Sequence, residues 1–334
     1  MEIEYIYRPP SEMVSIEKCF DAIIGSMSRQ KEVKISKSYV KSLWIWPFTL
    51  AYNIIQYAFK SRRHRVFHIT GDVQYLGCLM NPKNTIMTIH DCVSLHNASA
   101  SFLYRRLVYY LWYYFPLKHL KYICCISRET YRDVLSFFPW AEPKLIIIPS
   151  PVSDQFNYKE RSFNETCPRI LHIGTRENKN LMRVIYALKG VKCHLRIIGK
   201  LTEEIFSIMK SIGIEYSNDY NISEEQIVQE YVDSDIVSFP SLFEGFGLPI
   251  VEAQAVGRPV VTSNIEPMRT IGRGAVFVDP YSIESIRDGF LSVITNKDIR
   301  EKCVSDGLRN CKNYSSEKVS EMYFLQYNKM MAER

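Results

Sequence analysis

The chain has 334 residues, 46% of them hydrophobic, which suggests about two domains with ample core. Its 42 basic against 36 acidic residues give a net charge of +6, a mild excess that fits nucleotides, phosphorylated lipids or a membrane surface and speaks against nucleic acid, whose binders are more polarised. The nine cysteines are irregularly spaced and include no C-x-x-C pair, which argues against zinc-ribbon or thioredoxin chemistry and for a reducing, cytoplasmic compartment.

The opening "MEIEYIYRPP" has acids and no basic n-region, so it does not read as a signal peptide. Within it "IEYIY" reads as a strand. "SIEKCFDAIIGSM" follows as a helix, with Ser15 as N-cap and Glu17 beside it. "EVKIS" is the next strand. The stretch from Leu43 to Phe59 carries no charge and is followed by "KSRRHR". Pro47, Asn53 and Gln56 interrupt it, so it reads as a buried or membrane-surface helix rather than a span. "RVFHITG" and "NTIMTIHD" are strands, "YRRLVYYLWYYFPLKHL" a helix, and "KYICCIS" and "KLIIIPS" strands. The stretch "SFLYRRLVYYLWYYFPLKHLK" has two readings, a core helix or a peripheral membrane face with Arg105, Arg106, Lys118 and Lys121 near lipid phosphates.

The pattern breaks over residues 150–168, which are polar and Pro-containing and read as an interdomain linker. It then restarts. "RILHIGT", "CHLRIIG", "DIVSFPS", "PVVTSN" and "AVFVDP" read as strands, and "NKNLMRVIYALKG", "TEEIFSIMKSIG" and "SEEQIVQEYVDS" as helices. The tail from Ser282 onward is helical. Strands alternating with helices imply parallel sheets, hence two α/β domains with a cleft between them. Ligands of such sheets gather at the carboxyl ends of the strands. Four segments are expected to share one rim: Ile89-His90-Asp91, "IGTRENKN", "IIGKL" and "SFPSLFEGFG". His68, His172 and His194 lie within strands and read as core.

The segment "PSLFEGFGLPIVEAQAVGRPVVTSN", Pro240 to Asn264, sets Glu244 and Glu252 around a turn that opens a helix. Gly245 and Gly247 permit unusual dihedrals and close backbone approach, and Pro249 suits the first helical position. The free amides there can receive phosphate or sugar oxygens. With "ILHIGTRENKNLMRVIYAL", the His90-Asp91 pair, Ser127 and "AVFVDP", this segment resembles the retaining GT-B glycosyltransferases with a Glu-x7-Glu motif, glycosyltransferase family 4, also called glycosyl transferases group 1. The resemblance is strong from about residue 169 to 295. Before residue 150 it is looser: "YRPPSEMVSIE" stands where many members carry a Gly-Gly loop.

The resemblance implies a GT-B fold, two Rossmann-like domains with parallel sheets facing across a cleft. Residues 1–155 would form the acceptor domain and 156–312 the donor domain, with 313–334 a helix packing back on the first. It implies retaining transfer of a hexose from a nucleotide diphosphate-sugar to a glycan or polyprenyl-linked sugar, in surface polysaccharide biosynthesis. No metal and no cofactor are implied, since the nucleotide-sugar is a substrate, and no nucleic acid takes part. Peripheral contact with the inner face of an anionic plasma membrane would suit a lipid-linked acceptor.

Two carboxylates beside a diphosphate would repel it, so they must aim at hydroxyls. By resemblance Glu252 accepts from the ribose diol and Glu244 faces the transferred sugar. Lys179, with Arg176, stabilises charge on the leaving group. Gly174, Thr175, Gly199, Lys200, Gly245, Phe246, Gly247 and Leu248 complete the donor site. His90 reaches toward the sugar or its leaving oxygen, and Arg8, Asp91 and Ser127 are acceptor-side candidates, while Arg8 and Glu17 have either an acceptor-site or a structural role. The leaving phosphate takes the acceptor proton. "DSD" at 233–235 matches a metal motif of another glycosyltransferase fold, but Asp235 reads as the end of a helix–strand turn. A carboxylate-pair glycosidase is disfavoured because Glu244 and Glu252 sit in one turn–helix unit. A dehydrogenase is disfavoured by the lack of an early G-x-G-x-x-G. A non-catalytic nucleotide-sugar binding protein is the remaining alternative.

Overall fold

Short runs rich in Val, Ile and Tyr make the central strands, buried on both faces as parallel sheets covered by helices require, while the edge strands Lys34–Tyr39 and Glu215–Asp219 are more polar and exposed. In the computed structural model, which describes residues 1–10, 15–42, 47–96 and 101–333, these runs build two six-stranded sheets in two compact units. The first unit comprises Met1–Pro151 and Ser316–Arg334. Its strands are β1 (Glu2–Tyr7), β2 (Lys34–Tyr39), β3 (Val66–Ile69), β4 (Thr85–Ile89), β5 (Tyr122–Cys125) and β6 (Leu145–Ile147). All pair in parallel, in the order β2-β1-β3-β4-β5-β6. The second unit, Val152–Ser315, carries β7 (Arg169–Ile173), β8 (His194–Ile198), β9 (Glu215–Asp219), β10 (Ile236–Phe239), β11 (Val260–Ser263) and β12 (Val276–Val278). Their order is β12-β11-β10-β7-β8-β9, again parallel.

Each order reverses once, between β1 and β3 in the first sheet and between β7 and β10 in the second. Crevices open at such reversals because the connections leave to opposite sides. The expected common rim is therefore corrected. Ile89-His90-Asp91 ends β4 in the first sheet, and only the other three segments end neighbouring strands of the second.

The first unit is closed by the helix Ser316–Ala332, whose Val319, Tyr323, Tyr327 and Met330 are buried with Ile3, Tyr5 and Phe20. His68 lies in this layer, 2.6 Å from Tyr327 Oη through Nδ1 and 2.7 Å from Thr88 Oγ1 through Nε2. Burial pushes its pKa down to about 3.

Other readings need correction. The first helix, Ser15–Gln30, already includes Ser15, so Ser15 is not its N-cap; residues 11–14 lie outside the described residues. Residues 43–46 of the uncharged stretch are also outside them. The rest forms the helix Phe48–Lys60, which buries Leu50, Asn53 and Tyr57 yet exposes Phe48, Tyr52, Ile55 and Phe59 along its opposite side. His194 is half-exposed beside Glu215 rather than core. Strand β9 has no apolar run to announce it, being an edge strand paired only to β8. The helix Arg128–Phe137 was likewise not anticipated.

The aromatic stretch is helical but not uniformly α. Residues Val108–Tyr114 form a π-helix, in which the Phe115 N–H donates to Tyr110 O, five residues back. Pro116 has no N–H to give Leu111 O, and Cys78 Sγ donates to that carbonyl at 3.6 Å instead. Burial holds this thiol protonated, its pKa pushed up to about 12. No helix among the described residues is long and apolar enough to cross a membrane.

Candidate functional site

At the reversal of the second sheet, the loops after β7 and β10 meet. Asn178 accepts from Leu242 N through its own carbonyl at 2.8 Å and donates Nδ2 to Phe243 O at 3.0 Å. Asn180, buried in a left-handed conformation (φ 65°), donates Nδ2 to Pro240 O at 2.9 Å and to Pro280 O at 2.7 Å. The loops are thus fixed to one another by side-chain amides. Between them Lys179 Nζ donates to Glu244 Oε1 at 2.6 Å and lies 4.7 Å from the Phe239 ring centre. Gly174 (φ 95°) makes room, since a Cβ there would stand 2.8 Å from Lys179 Cγ. His172, directly before this loop, is kept neutral by burial, with the charge of Lys179 adding to the effect, and its pKa falls to about 3.

Gly174, Thr175, Lys179 and Glu244 come together at this rim. Gly199 and Lys200 adjoin through Thr175, whose Oγ1 donates to Lys200 O at 2.8 Å. Arg176 and Lys200 are exposed. Downstream, Gly247 adopts φ 113° and precedes the helix Leu248–Val256. Pro249 is the second residue of this helix, not the first. Ile250 N donates to Gly247 O, while none of the backbone N–H groups from Gly245 to Leu248 donates to another described residue. Those amides face a helix start that favours negative charge. Phe246 is buried against Tyr314 and anchors the turn. On the same helix Glu252 accepts from Tyr231 Oη at 2.6 Å. Burial and this carboxylate raise the Tyr231 pKa far above its usual value, so the phenol stays a donor.

In the first unit, His90 follows β4 and donates Nε2–H to Thr70 O at 2.7 Å. Burial lowers its pKa, outweighing that bond and the nearby carboxylates. The ring is therefore neutral and its Nδ1 is an acceptor. Arg8, at the reversal of this sheet, is buried and forks onto Glu17 with both bonds at 2.9 Å, and it also pairs with Asp72. Burial opposes its charge, but these carboxylates prevail and raise its pKa. Asp91 Oδ1 accepts from Val93 N at 3.1 Å and shapes the turn after His90. Ser127 is 3% exposed and caps the helix Arg128–Phe137, accepting from Thr130 N at 3.0 Å. Its hydroxyl also lies 3.0 Å from Thr130 Oγ1.

Asp235 behaves as a turn residue. Its carboxylate accepts from Arg161 at 2.9 Å, from Asn164 N at 3.2 Å and from Arg169 N at 2.8 Å. Sequence reasoning missed Asn178, Asn180 and Tyr231. The asparagines stood inside a quoted motif, "RENKN", and an Asn in a loop before a helix is a turn signal that could have flagged them. Nothing local flags Tyr231.

Residues 154–309 match the family model of "Glycosyl transferases group 1". The O-antigen chain mannosyltransferase B of Escherichia coli is 32% identical over 97 residues, 29% of this chain and 26% of that protein. The sucrose-phosphate synthase of Spinacia oleracea is 37% identical over 89 residues, 23% of this chain and 8% of that one. The aligned stretches thus span about a quarter or less of these curated relatives. Among solved structures, Anabaena Alr3699/HepE in complex with UDP and glucose superposes with a TM-score of 0.76 at 13% identity, covering 98% of this chain and 99% of that one. WaaG, a glycosyltransferase involved in lipopolysaccharide biosynthesis, gives 0.69 at 15% identity, covering 97% and 98%. At such identities the likeness is one of fold, and it extends over both units. The GT-B architecture runs through both units, and the family segment fills the second unit, which is of the glycosyl transferases group 1.

Proposed function

We propose that this chain is a retaining, metal-independent glycosyltransferase that moves a hexose from a nucleotide diphosphate-sugar to a glycan or polyprenyl-linked acceptor in surface polysaccharide synthesis. The observation that carries the reading is the Lys179–Glu244 contact at the reversal of the second sheet, next to amides with no acceptor among the described residues. A diphosphate arriving there gives Lys179 a stronger anionic partner. Glu244 is then released to accept from a sugar hydroxyl, and Glu252 accepts from the ribose. Lys179 and the Gly245–Leu248 amides stabilise the negative charge that grows on the leaving phosphate. His90, neutral with Nδ1 as its available nitrogen, accepts a hydrogen bond and has no proton to give from that atom. The leaving phosphate oxygen takes the acceptor proton. The O-antigen and lipopolysaccharide relatives support the surface-glycan context.

The experiment is a screen of UDP-, GDP-, ADP- and TDP-sugars by thermal shift, followed by donor turnover with an acceptor glycan. Stabilisation by one class of donor and turnover that collapses in Lys179→Ala are expected. Binding without turnover of any donor, with acceptor supplied, would identify a non-catalytic binding protein instead.

The same reading places the first unit at the inner face of the plasma membrane. The exposed Phe48, Tyr52, Ile55 and Phe59 line one side of a helix flanked by exposed Lys41, Arg62 and Arg63. No Asp or Glu occurs from Val33 to Gly71. Lys41 sits 4.2 Å over the Tyr52 ring and Arg62 4.8 Å over that of Phe59. An apolar stripe bordered by cations alone suits an anionic lipid surface. Phe102, Leu103, Arg105 and Arg106 are also exposed.

A further inference from the structure

The first unit contains a hollow of about 820 Å³ beside the reversal of its sheet. Its floor is polar, formed by Asp72, Gln74, His90 and Asp91 where the chain leaves β3 and β4. Its wall is apolar and comes from the helical stretch 101–113, chiefly Leu103, Tyr104, Leu107, Val108 and Trp112. This volume is in the range of ordinary ligand sites.

Three observations indicate what it takes. First, Gln74 lines the hollow with only 5% of its surface exposed, and its Oε1 has no hydrogen-bond partner among the described residues. A buried amide oxygen without a donor is costly, and a ligand hydroxyl would satisfy it. His90 Nδ1 offers a second acceptor. Second, the wall is preset. Trp112 Nε1 donates to Asp72 O at 3.1 Å, and its ring lies 4.9 Å from that of Tyr75. Trp112 and Val108 both fall in the π-helix, whose wider turn sets which side chains face the hollow. Third, the charged groups lining the hollow are carboxylates. No Lys or Arg lines it among the described residues. Arg8 neutralises Asp72 from outside the lining, and Arg105 and Arg106 line a different hollow with Phe102 and Tyr110. A phosphate entering would meet Asp91 with no cation beside it.

We propose that this hollow is the acceptor subsite and that it selects an uncharged, amphipathic glycoside. Its sugar hydroxyls donate to Gln74 Oε1 and His90 Nδ1, and its apolar portion lies on Tyr104, Leu107 and Trp112. This deepens the proposed function and rests on it. If the natural acceptor is lipid-linked, its phosphate lies outside the hollow.

The test uses the full chain and three probes, octyl β-D-glucopyranoside below its micelle concentration, methyl β-D-glucopyranoside and glucose 1-phosphate, with binding followed by calorimetry. The octyl glycoside should bind at least roughly tenfold tighter than the methyl one, and glucose 1-phosphate should not displace it. Gln74→Leu and Tyr104→Ala should each weaken the octyl glycoside roughly tenfold while the melting temperature and nucleotide binding stay unchanged. Tyr104 is exposed, so its variant tests the site even if Gln74→Leu fails to fold. Equal binding of octyl and methyl glycosides, displacement by glucose 1-phosphate, or unchanged affinity in Tyr104→Ala would overturn the subsite. Loss of these effects with donor turnover intact would leave the proposed function standing. Glycoside binding in a protein that binds no nucleotide would do the reverse.

Discussion

Under the proposed function, the Lys179–Glu244 contact is one that substrate must rearrange. Replacing either one removes a different part of the work. Lys179→Ala should lower turnover by roughly 10²-fold, as loss of a charge-stabilising group does, and leave the KM for donor less affected. Glu244→Ala frees Lys179 but deprives the sugar of its acceptor, and a comparable fall in kcat is expected. Steady-state kinetics on both variants check this, and near-normal rates would remove the site. Glu252→Ala is expected to act mainly through donor affinity, and it also strands the buried Tyr231 hydroxyl, at about 1–3 kcal/mol of stability. Tyr231→Phe separates the two effects, since it removes the hydrogen bond and keeps the carboxylate. Glu244, Glu252 and Lys179 stand out in the sequence as candidates because a motif holds them in order. Asn180 and Tyr231 could not, because what they hold is far away in the chain: Asn180 bonds residues 240 and 280, and Tyr231 bonds residue 252.

Strands with uninterrupted apolar runs were legible, whereas β9 was not, since its residues Glu215–Asp219 are polar and its order comes from pairing with β8. The π-helix was equally hidden. A run such as "VYYLWYY" is apolar at every position and carries no period from which a wider turn could be read. The strand histidines allow a test at this scale. His68 and His172 are held neutral by burial to about pH 3, whereas an exposed imidazole takes a proton near 6.5. Between these values the unfolded chain binds more protons, so stability is full above pH 6.5 and falls on acidification. Each histidine contributes a slope of up to about 1.4 kcal/mol per pH unit. Denaturant titrations from pH 6.5 to 4.5 should show a shallower slope for His68→Leu than for the unaltered protein, although its stability at pH 7 is lower. Equal slopes would mean that His68 does not titrate in this way.

At the scale of the molecule, the modest net charge conceals a local one-sidedness. The stretch Val33–Gly71 has no acid, and its helix exposes an apolar stripe. Flotation with vesicles containing anionic lipid should recover the protein at low salt and lose it at high salt. The variant Phe48→Ser, Ile55→Ser, Phe59→Ser should stay at the bottom of the gradient at both, with its donor-site binding intact. No flotation of the unaltered protein at low salt would sink the membrane reading. Composition had raised the possibility of anionic partners, but which side of which helix faces solvent depends on the packing of Leu50, Asn53 and Tyr57.

The closing helix of the first unit, Ser316–Ala332, is made only after the whole second unit has been translated. A domain made first normally folds first. Here the order on the ribosome is inverted. Until Tyr323 and Tyr327 emerge, Tyr5, Phe20 and His68 lack the layer that buries them, while Val152–Ser315 already possesses its own core. Nascent chains arrested just before Ser316, with a linker to clear the exit tunnel, should therefore yield a protease-resistant second unit and a first unit that is still digested. The dependence leaves part of the first unit's core uncovered until synthesis is nearly complete.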